Sequence, residues 1–278
     1  MTETAAPLDF VRAAVLEAGD LARRCYGRAT VTIKPDRSLV TEADVAVQKF
    51  LREKLEGRFP QDGLVGEEQG LRKPAAAGAR TWIIDPIDGT AAFSAGLPVW
   101  GISVGIVEAG LPAGGLFLMP ATGDLFEMAP GGAVLKNGRP VRMKTPEPFH
   151  DESSIMVGPR FPQRHHVDPA FRAKFRSMGS TVAHMCWVAA GSADAAVVEE
   201  AYAWDVAVGM AMVRANGGVV RYADGRDVDI VELLGGAKIP APVLVGREAT
   251  VAALKEGVGN LLRESAGTPH CRGRGEGS

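Results

Sequence analysis

The stretch Thr81-Trp82-Ile83-Ile84-Asp85-Pro86-Ile87-Asp88-Gly89-Thr90 decides how this chain is read. Thr81 to Ile84 are β-branched or aromatic and predict a buried strand. Asp85-Pro86 is expected to end that strand abruptly, because Pro86 fixes its own φ and lacks an N–H. Asp88-Gly89 then makes a tight turn, which brings two carboxylates three residues apart toward one point. Beyond Gly89 the next backbone N–H groups, that of Thr90 included, are free to face an anion, as in a phosphate-cradling turn. Asp-Pro and Asp-Gly are also ordinary turn dipeptides, so these residues alone leave both readings open.

Upstream, Leu8, Val11, Val15, Ala18 and Ala22 step by three or four and predict an amphipathic helix ending near Gly27. A strand from Thr30 to Lys34 and a polar turn at Pro35–Ser38 follow. Val47, Leu51 and Leu55 then mark a second helix, with Thr41 as N-cap and Gly57 near its stop. Pro60–Gly70 reads as a loop rich in glycine and acids. Downstream, Gly101–Val107, Ala113–Met119 and Asp124–Met128 predict an antiparallel meander, with a turn at Lys136-Asn137-Gly138.

Thr145–Asp151 is the expected boundary between an N-terminal α+β lobe, 1–148, and a C-terminal α/β lobe, 149–263. The second lobe alternates: strand Ser154–Val157, helix Pro169–Ser177, an apolar stretch Thr181–Ala190 and strand Ala195–Val198. A helix from Asp205 to Asn216, strands Val219–Tyr222 and Val243–Val245, and a last helix bearing Val251, Leu254, Val258 and Leu261 complete it. The Gly/Ser/Arg-rich segment 264–278 reads as a disordered tail.

Several further acids have chemical potential and an ordinary explanation beside it. Glu67 and Glu68 sit in a glycine-flanked loop and can be a solvated pair. Asp44, three residues after Thr41, fits a capping box, and Asp205, after Trp204, fits a helix start. Taken together, Glu67, Asp85, Asp88 and Asp205 with the Ile87 carbonyl form an all-oxygen set suited to hard cations such as Mg²⁺ or Mn²⁺. Two carboxylates about 4 Å apart repel by roughly 4 kcal/mol at an effective dielectric of 20, so their convergence requires cations. Gly179-Ser180-Thr181 can present N–H groups to a phosphate or be a plain loop. His165-His166 is a poor chelating pair, and His184 reads as a packed histidine.

These motifs, in this order, resemble the inositol monophosphatase family of Mg²⁺-dependent phosphomonoesterases. Trp82–Thr90 matches its first motif, and Trp204-Asp205 with Gly217-Gly218 its second. Glu67 falls on the metal-binding Glu of its G-E-E loop, Leu39-Val40-Thr41 with Asp44 on its Leu-Val-Thr-x-x-Asp stretch, and Lys34 on a frequent Lys. The resemblance implies an αβαβα layered sandwich and a homodimer. It implies two or three Mg²⁺ ions, with Mn²⁺ as a substitute, held by Glu67, Asp85, the Ile87 carbonyl, Asp88 and Asp205. Asp44 and Thr90, with Glu67, would prepare the attacking water, while Asp88, Gly89, Thr90, Ser180 and Thr181 would hold phosphate.

The implied reaction is hydrolysis of a small phosphate monoester, with inositol 1-phosphate the default substrate and histidinol phosphate the main alternative. Bisphosphate nucleotides and fructose bisphosphate stand further back. The glutamate with which inositol-specific members bind sugar hydroxyls aligns on Val198, and Glu199 or Glu200, one or two places later, is the expected substitute, Glu199 first. A non-enzymatic reading, a metal-stabilised binding or regulatory protein, also fits the acids.

Composition narrows the field. The 278 residues carry 31 Lys+Arg against 33 Asp+Glu, a net charge of -2 and 46% hydrophobic residues, which argues against a nucleic-acid binder and a disordered acidic chain. No apolar run approaches the roughly 18 residues of a membrane span, and the first residues do not read as a secretion signal. Cys25, Cys186 and Cys271 are an odd set without zinc spacing, so free thiols and a cytoplasmic location are expected.

Overall fold

The computed structural model describes residues 5–35 and 38–259. In chain order its elements begin with α1 (Ala5–Arg23), β1 (Val31–Ile33), β2 (Leu39–Thr41), α2 (Glu42–Arg58), β3 (Gly63–Gly66), β4 (Arg72–Lys73) and β5 (Thr81–Asp88). Next come α3 (Thr90–Ser94), β6 (Gly101–Glu108), β7 (Leu111–Met119), β8 (Asp124–Met128), β9 (Leu135–Lys136) and β10 (Arg139–Pro140). Then follow β11 (Ser154–Val157), α4 (Phe161–Arg164), β12 (His166–Val167), β13 (Lys174–Arg176), α5 (Thr181–Ala189), β14 (Ala195–Val198) and α6 (Ala203–Ala215). The chain closes with β15 (Val219–Tyr222), α7 (Ile230–Leu233), β16 (Val243–Gly246), α8 (Glu248–Gly257) and β17 (Val258–Gly259).

Two large sheets hold most of these strands, and β1-β2 and β12-β17 form two further antiparallel pairs. An eight-stranded sheet runs β10-β9-β8-β7-β6-β5-β3-β4, antiparallel except for the β3/β5 pair. A five-stranded sheet runs β13-β11-β14-β16-β15, with β13, β11 and β14 parallel and the rest antiparallel. Because strand side chains alternate, Trp82 and Ile84 face α1 and α2, where Leu8, Val11, Val15, Val47, Leu51 and Leu55 are buried. Ile83, Phe117 and Phe126 face the other way, into one core with α5 and α6. Helix α6 is buried over nearly its whole circumference, as a helix between two sheets must be. Beyond the second sheet, Leu244 packs with Val251 and Leu254 of α8. The order helix, sheet, helix, sheet, helix is the expected αβαβα sandwich.

Four local expectations change. Strand β5 does not stop at Ile84; it continues to Asp88 through a register shift, with Asp85 opposite Ser103 and Asp88 opposite Gly101. Pro86 cannot donate to the ladder and falls in that irregular stretch, so the sheet absorbs it as a bulge. Within the predicted loop 60–70, Gly63–Gly66 forms β3, parallel to Thr81–Ile84. A side chain at Gly63 would come within 2.8 Å of Thr81 Oγ1, so glycine here allows close approach and does not signal a loop.

The predicted helix 169–177 is instead a connection into β13, and the helix of this region is α4, eight residues earlier. The last helix ends at Gly257, where the Phe171 ring leaves no room for a Cβ, and Val258 pairs with Val167. Leu261, Cys271 and the predicted tail lie outside the described residues.

Candidate active site

Thr41 opens α2 by accepting from Ala43 N and Asp44 N, and Asp44 Oδ2 accepts from Thr41 N at 2.8 Å and from Thr41 Oγ1 at 2.5 Å. The capping box leaves Asp44 Oδ1 to accept from Thr90 Oγ1 at 3.1 Å. That hydroxyl proton is shared with the Ile87 carbonyl, also at 3.1 Å. Asp44 therefore caps a helix and at the same time joins α2 to the start of α3. Burial pushes its carboxyl up to about 6, against the hydrogen bonds from Thr41.

Asp88 ends β5 under the N-terminus of α5. Its Oδ1 accepts from Thr181 N at 3.0 Å, and its Oδ2 from Val182 N at 2.9 Å and from the Ser180 hydroxyl. Ser180 also accepts from Ala183 N, as the N-cap of α5. The Ser180 hydroxyl and Thr181 N–H, expected at phosphate, are thus committed to Asp88. Burial raises Asp88 to about 6, and these donors oppose the rise. Gly89 adopts φ +91°, and a Cβ there would lie 2.8 Å from the Gly179 carbonyl, so only glycine fits this turn.

Asp205, in the first turn of α6, accepts from Tyr202 N through Oδ2 at 2.6 Å. One carboxylate oxygen each of Asp85, Asp88 and Asp205 lies within 4.8 Å of the others. Asp85 Oδ1 is buried and, among the described residues, has no hydrogen-bond partner. Burial and then the neighbouring carboxylates hold Asp85 and Asp205 well above the usual carboxylate range. A buried oxygen without a hydrogen-bond partner in an all-oxygen cluster suits a hard cation, and the set fits Mg²⁺ or Mn²⁺.

Glu67 lies outside that cluster of three. Its Oε1 pairs with Lys34 Nζ at 2.9 Å, and Glu68 Oε1 meets the same ammonium at 2.6 Å. Burial lifts Glu67 to about 7 despite Lys34. Burial opposes the charge on Lys34 too, but the two glutamates outweigh it and hold the ammonium above its ordinary range. Glu68 is no solvated acid: Gln48 binds its backbone on both sides, through Oε1 to Glu68 N and Nε2 to Glu68 O.

A cavity of about 310 Å³ is lined by Ala91, Gly179–Thr181 and His184, with a wall from Arg160, Arg164, Glu199 and Glu200. Glu199 Oε1 meets His165 Nε2 at 3.0 Å, and Arg164 pairs with Glu200 at 2.5 Å. His184 is packed and neutral; burial lowers it to about 4. Its Nε2 accepts from Met178 N.

The family model of the inositol monophosphatase family matches residues 6–264. The chain belongs to the inositol monophosphatase family. An inositol-1-monophosphatase from Rhizobium meliloti is 30% identical over 261 residues, 90% of this chain and 94% of its own length. A histidinol-phosphatase from Chlorobaculum parvum is 32% identical over 212 residues, 73% of this chain and 80% of its own length. The solved structure of an IMPase from Thermotoga maritima superposes with a TM-score of 0.75 at 26% identity, covering 90% of this chain and 97% of that one. As a member of the inositol monophosphatase family, the chain is a phosphoric monoester hydrolase.

Sequence reasoning missed Ser103, whose buried hydroxyl has no partner among the described residues and stands opposite Asp85 across β5 and β6. Its only signal was a lone polar residue inside an apolar strand. The His165 ring is turned inward onto Glu199, with a side chain only 4% exposed. Among the described residues no helix is long and apolar enough to cross a membrane.

Proposed function

We propose that this family member hydrolyses a small phosphate monoester, with inositol 1-phosphate as the first candidate, in a Mg²⁺-loaded site formed by Glu67, Asp85, the Ile87 carbonyl, Asp88 and Asp205. The observation that carries the reading is the convergence of Asp85, Asp88 and Asp205 beside the Asp44–Thr90 pair. When bound, Mg²⁺ supplies Lewis acidity to the phosphoryl oxygens and lowers the pKa of water, and Mn²⁺ can take its place.

The chain's own groups do the rest. Thr90 Oγ1, its proton drawn toward Asp44 Oδ1 and the Ile87 carbonyl, turns lone pairs outward to accept a hydrogen bond from the attacking water. Asp44, held near 6, is mainly ionised above neutrality and takes up the proton that passes through Thr90. The N–H groups that open α3 after Gly89 have no acceptor inside their helix and bind phosphoryl oxygens. Asp88, fixed by three donors at the α5 N-terminus, keeps a constant position through the reaction. Ser180 and Thr181 act on substrate indirectly, by holding Asp88.

The alcohol part of the ester occupies the cavity beside Glu199. Histidinol phosphate is the second candidate: Val198 stands where the resemblance expects a hydroxyl-binding Glu, and Glu199 offers a carboxylate to an ammonium group. The protein acts as a cytoplasmic homodimer, each chain divided near 145–151 into two lobes. Phosphate release from inositol 1-phosphate, histidinol phosphate, adenosine 3′,5′-bisphosphate and fructose 1,6-bisphosphate, with Mg²⁺ and with chelator, tests the reading. Mg²⁺-dependent preference for one monoester is expected. No release from any ester would overturn it in favour of a metal-stabilised binding protein.

A further inference from the structure

Four side chains from three separate segments form one column at the edge of the metal cluster. The Arg72 guanidinium carbon lies 5.2 Å from the centroid of Trp204. Trp204 stacks on Tyr202 with centroids 4.6 Å apart and planes 17° from parallel. Lys238 Nζ closes the far side, 5.2 Å from the Tyr202 centroid. A cation, two rings and a second cation alternate, and each cation sits on the electron-rich face of a ring.

The Arg72 end and the two rings of this column adjoin the backbone beside the acids. Arg72 Nη1 donates to the Gly66 carbonyl at 2.7 Å and to the Leu71 carbonyl at 2.6 Å. Gly66 immediately precedes Glu67. Trp204 immediately precedes Asp205, and Tyr202 N is the donor that fixes Asp205 Oδ2. Gly236 packs against the other edge of the guanidinium, where a Cβ would lie 2.6 Å from Arg72 Nη2. One planar cation therefore spans the first sheet, the start of α6 and the 234–238 segment.

We propose that Arg72 is a positioning residue for the metal site: by gripping the Gly66 carbonyl and the face of Trp204 together, it sets the distance between Glu67 and Asp205. This rests on the metal site of the proposed function and adds to it a residue that touches neither metal nor substrate. The planar fork and the stack are both needed, so lysine is a poor substitute at this position. Carboxylates that repel one another drift apart unless the backbone holds them, and the loss appears as weaker cation binding.

The test is Mn²⁺ binding without substrate, followed by the electron paramagnetic resonance signal of free Mn²⁺ during titration. Arg72→Met is expected to weaken the Glu67-linked binding about tenfold or more, the scale seen when groups supporting metal ligands are removed. Arg72→Lys should fall between Arg72→Met and the parent chain. Arg80→Met is the control, because Arg80 also lies over an aromatic pair, Phe59 and Trp82, and is ion-paired to Asp62 away from these acids. It should lower the melting temperature in chelator while leaving Mn²⁺ affinity unchanged. Parent-like Mn²⁺ affinity in Arg72→Met, or equal weakening in Arg72→Met and Arg80→Met, overturns the positioning role and leaves the metal site standing. Absence of Mn²⁺ binding by the parent chain overturns both.

Discussion

The exit of β5 and the wall at 158–165 and 199–200 are held by different physics. Asp88 is buried and takes three hydrogen bonds from a single helix start. In the wall, Arg160 is 60% exposed and meets Glu200 at 3.8 Å, an ion pair worth about 0–1 kcal/mol. Asp88 is fixed by donors of one helix start, whereas the rim of the wall, Arg160 with Glu200, rests on an exposed ion pair while Glu199 behind it is buried against His165. In the proposed function, chemistry belongs to the fixed side and discrimination between alcohols to the wall.

The sharpest way to break this contrast is Asp85→Asn. The change removes one charge from a cluster that repels itself, so turnover should fall about a thousandfold or more while the melting temperature in chelator rises. An unchanged turnover number would remove Asp85 from the chemistry. Thr90→Ala comes next. Loss of the hydroxyl that aligns water should lower kcat by roughly a hundredfold, the scale of a positioned proton-transfer group, with KM nearly constant. A rise in KM alone would place Thr90 among the substrate-binding groups instead.

A third effect is linked to pH. Asp44 and Asp88 are held near 6 and Glu67 near 7 in the fold, above the ordinary carboxylate value near 4. The folded state therefore holds extra protons between about pH 4 and 7. Stability from this source is complete below pH 4 and is lost as pH rises past 6 to 7. Scanning calorimetry in chelator should show the melting temperature falling over that interval. Mg²⁺ binds the ionised forms, so its stabilising increment should grow over the same range.

The smallest effects belong to the wall. Glu199→Gln is expected to raise KM several-fold for the preferred ester, whereas Arg160→Ala should alter KM and melting temperature little. A large loss of kcat in either would show that the wall also contributes to the chemistry.

Legibility in the sequence followed the same division. Trp82–Thr90, Thr41 with Asp44, and Trp204-Asp205 each combine a strand or helix boundary with an acid, and local rules suffice to read such boundaries. The αβαβα order was legible through the resemblance those motifs carry. The second half resisted: β13 depends on pairing with β11, which no local periodicity announces. The bulge at Pro86 escaped because it exists only in relation to the partner strand. Spacing shows where the Thr181 N–H lies along the chain but not that Asp88 is an acceptor within its reach.

Helix α6 is wrapped in apolar contacts on nearly every side, and this has a consequence for biosynthesis. Phe117 and Phe126 leave the ribosome well before α6 does. At about 5–20 residues per second, the inner face of the first sheet stays bare for several seconds until the helix that covers it has been made. That face is the natural target of a chaperone during translation, and a strong pause between codons 128 and 203 should cost more soluble protein than a pause of equal length after codon 216.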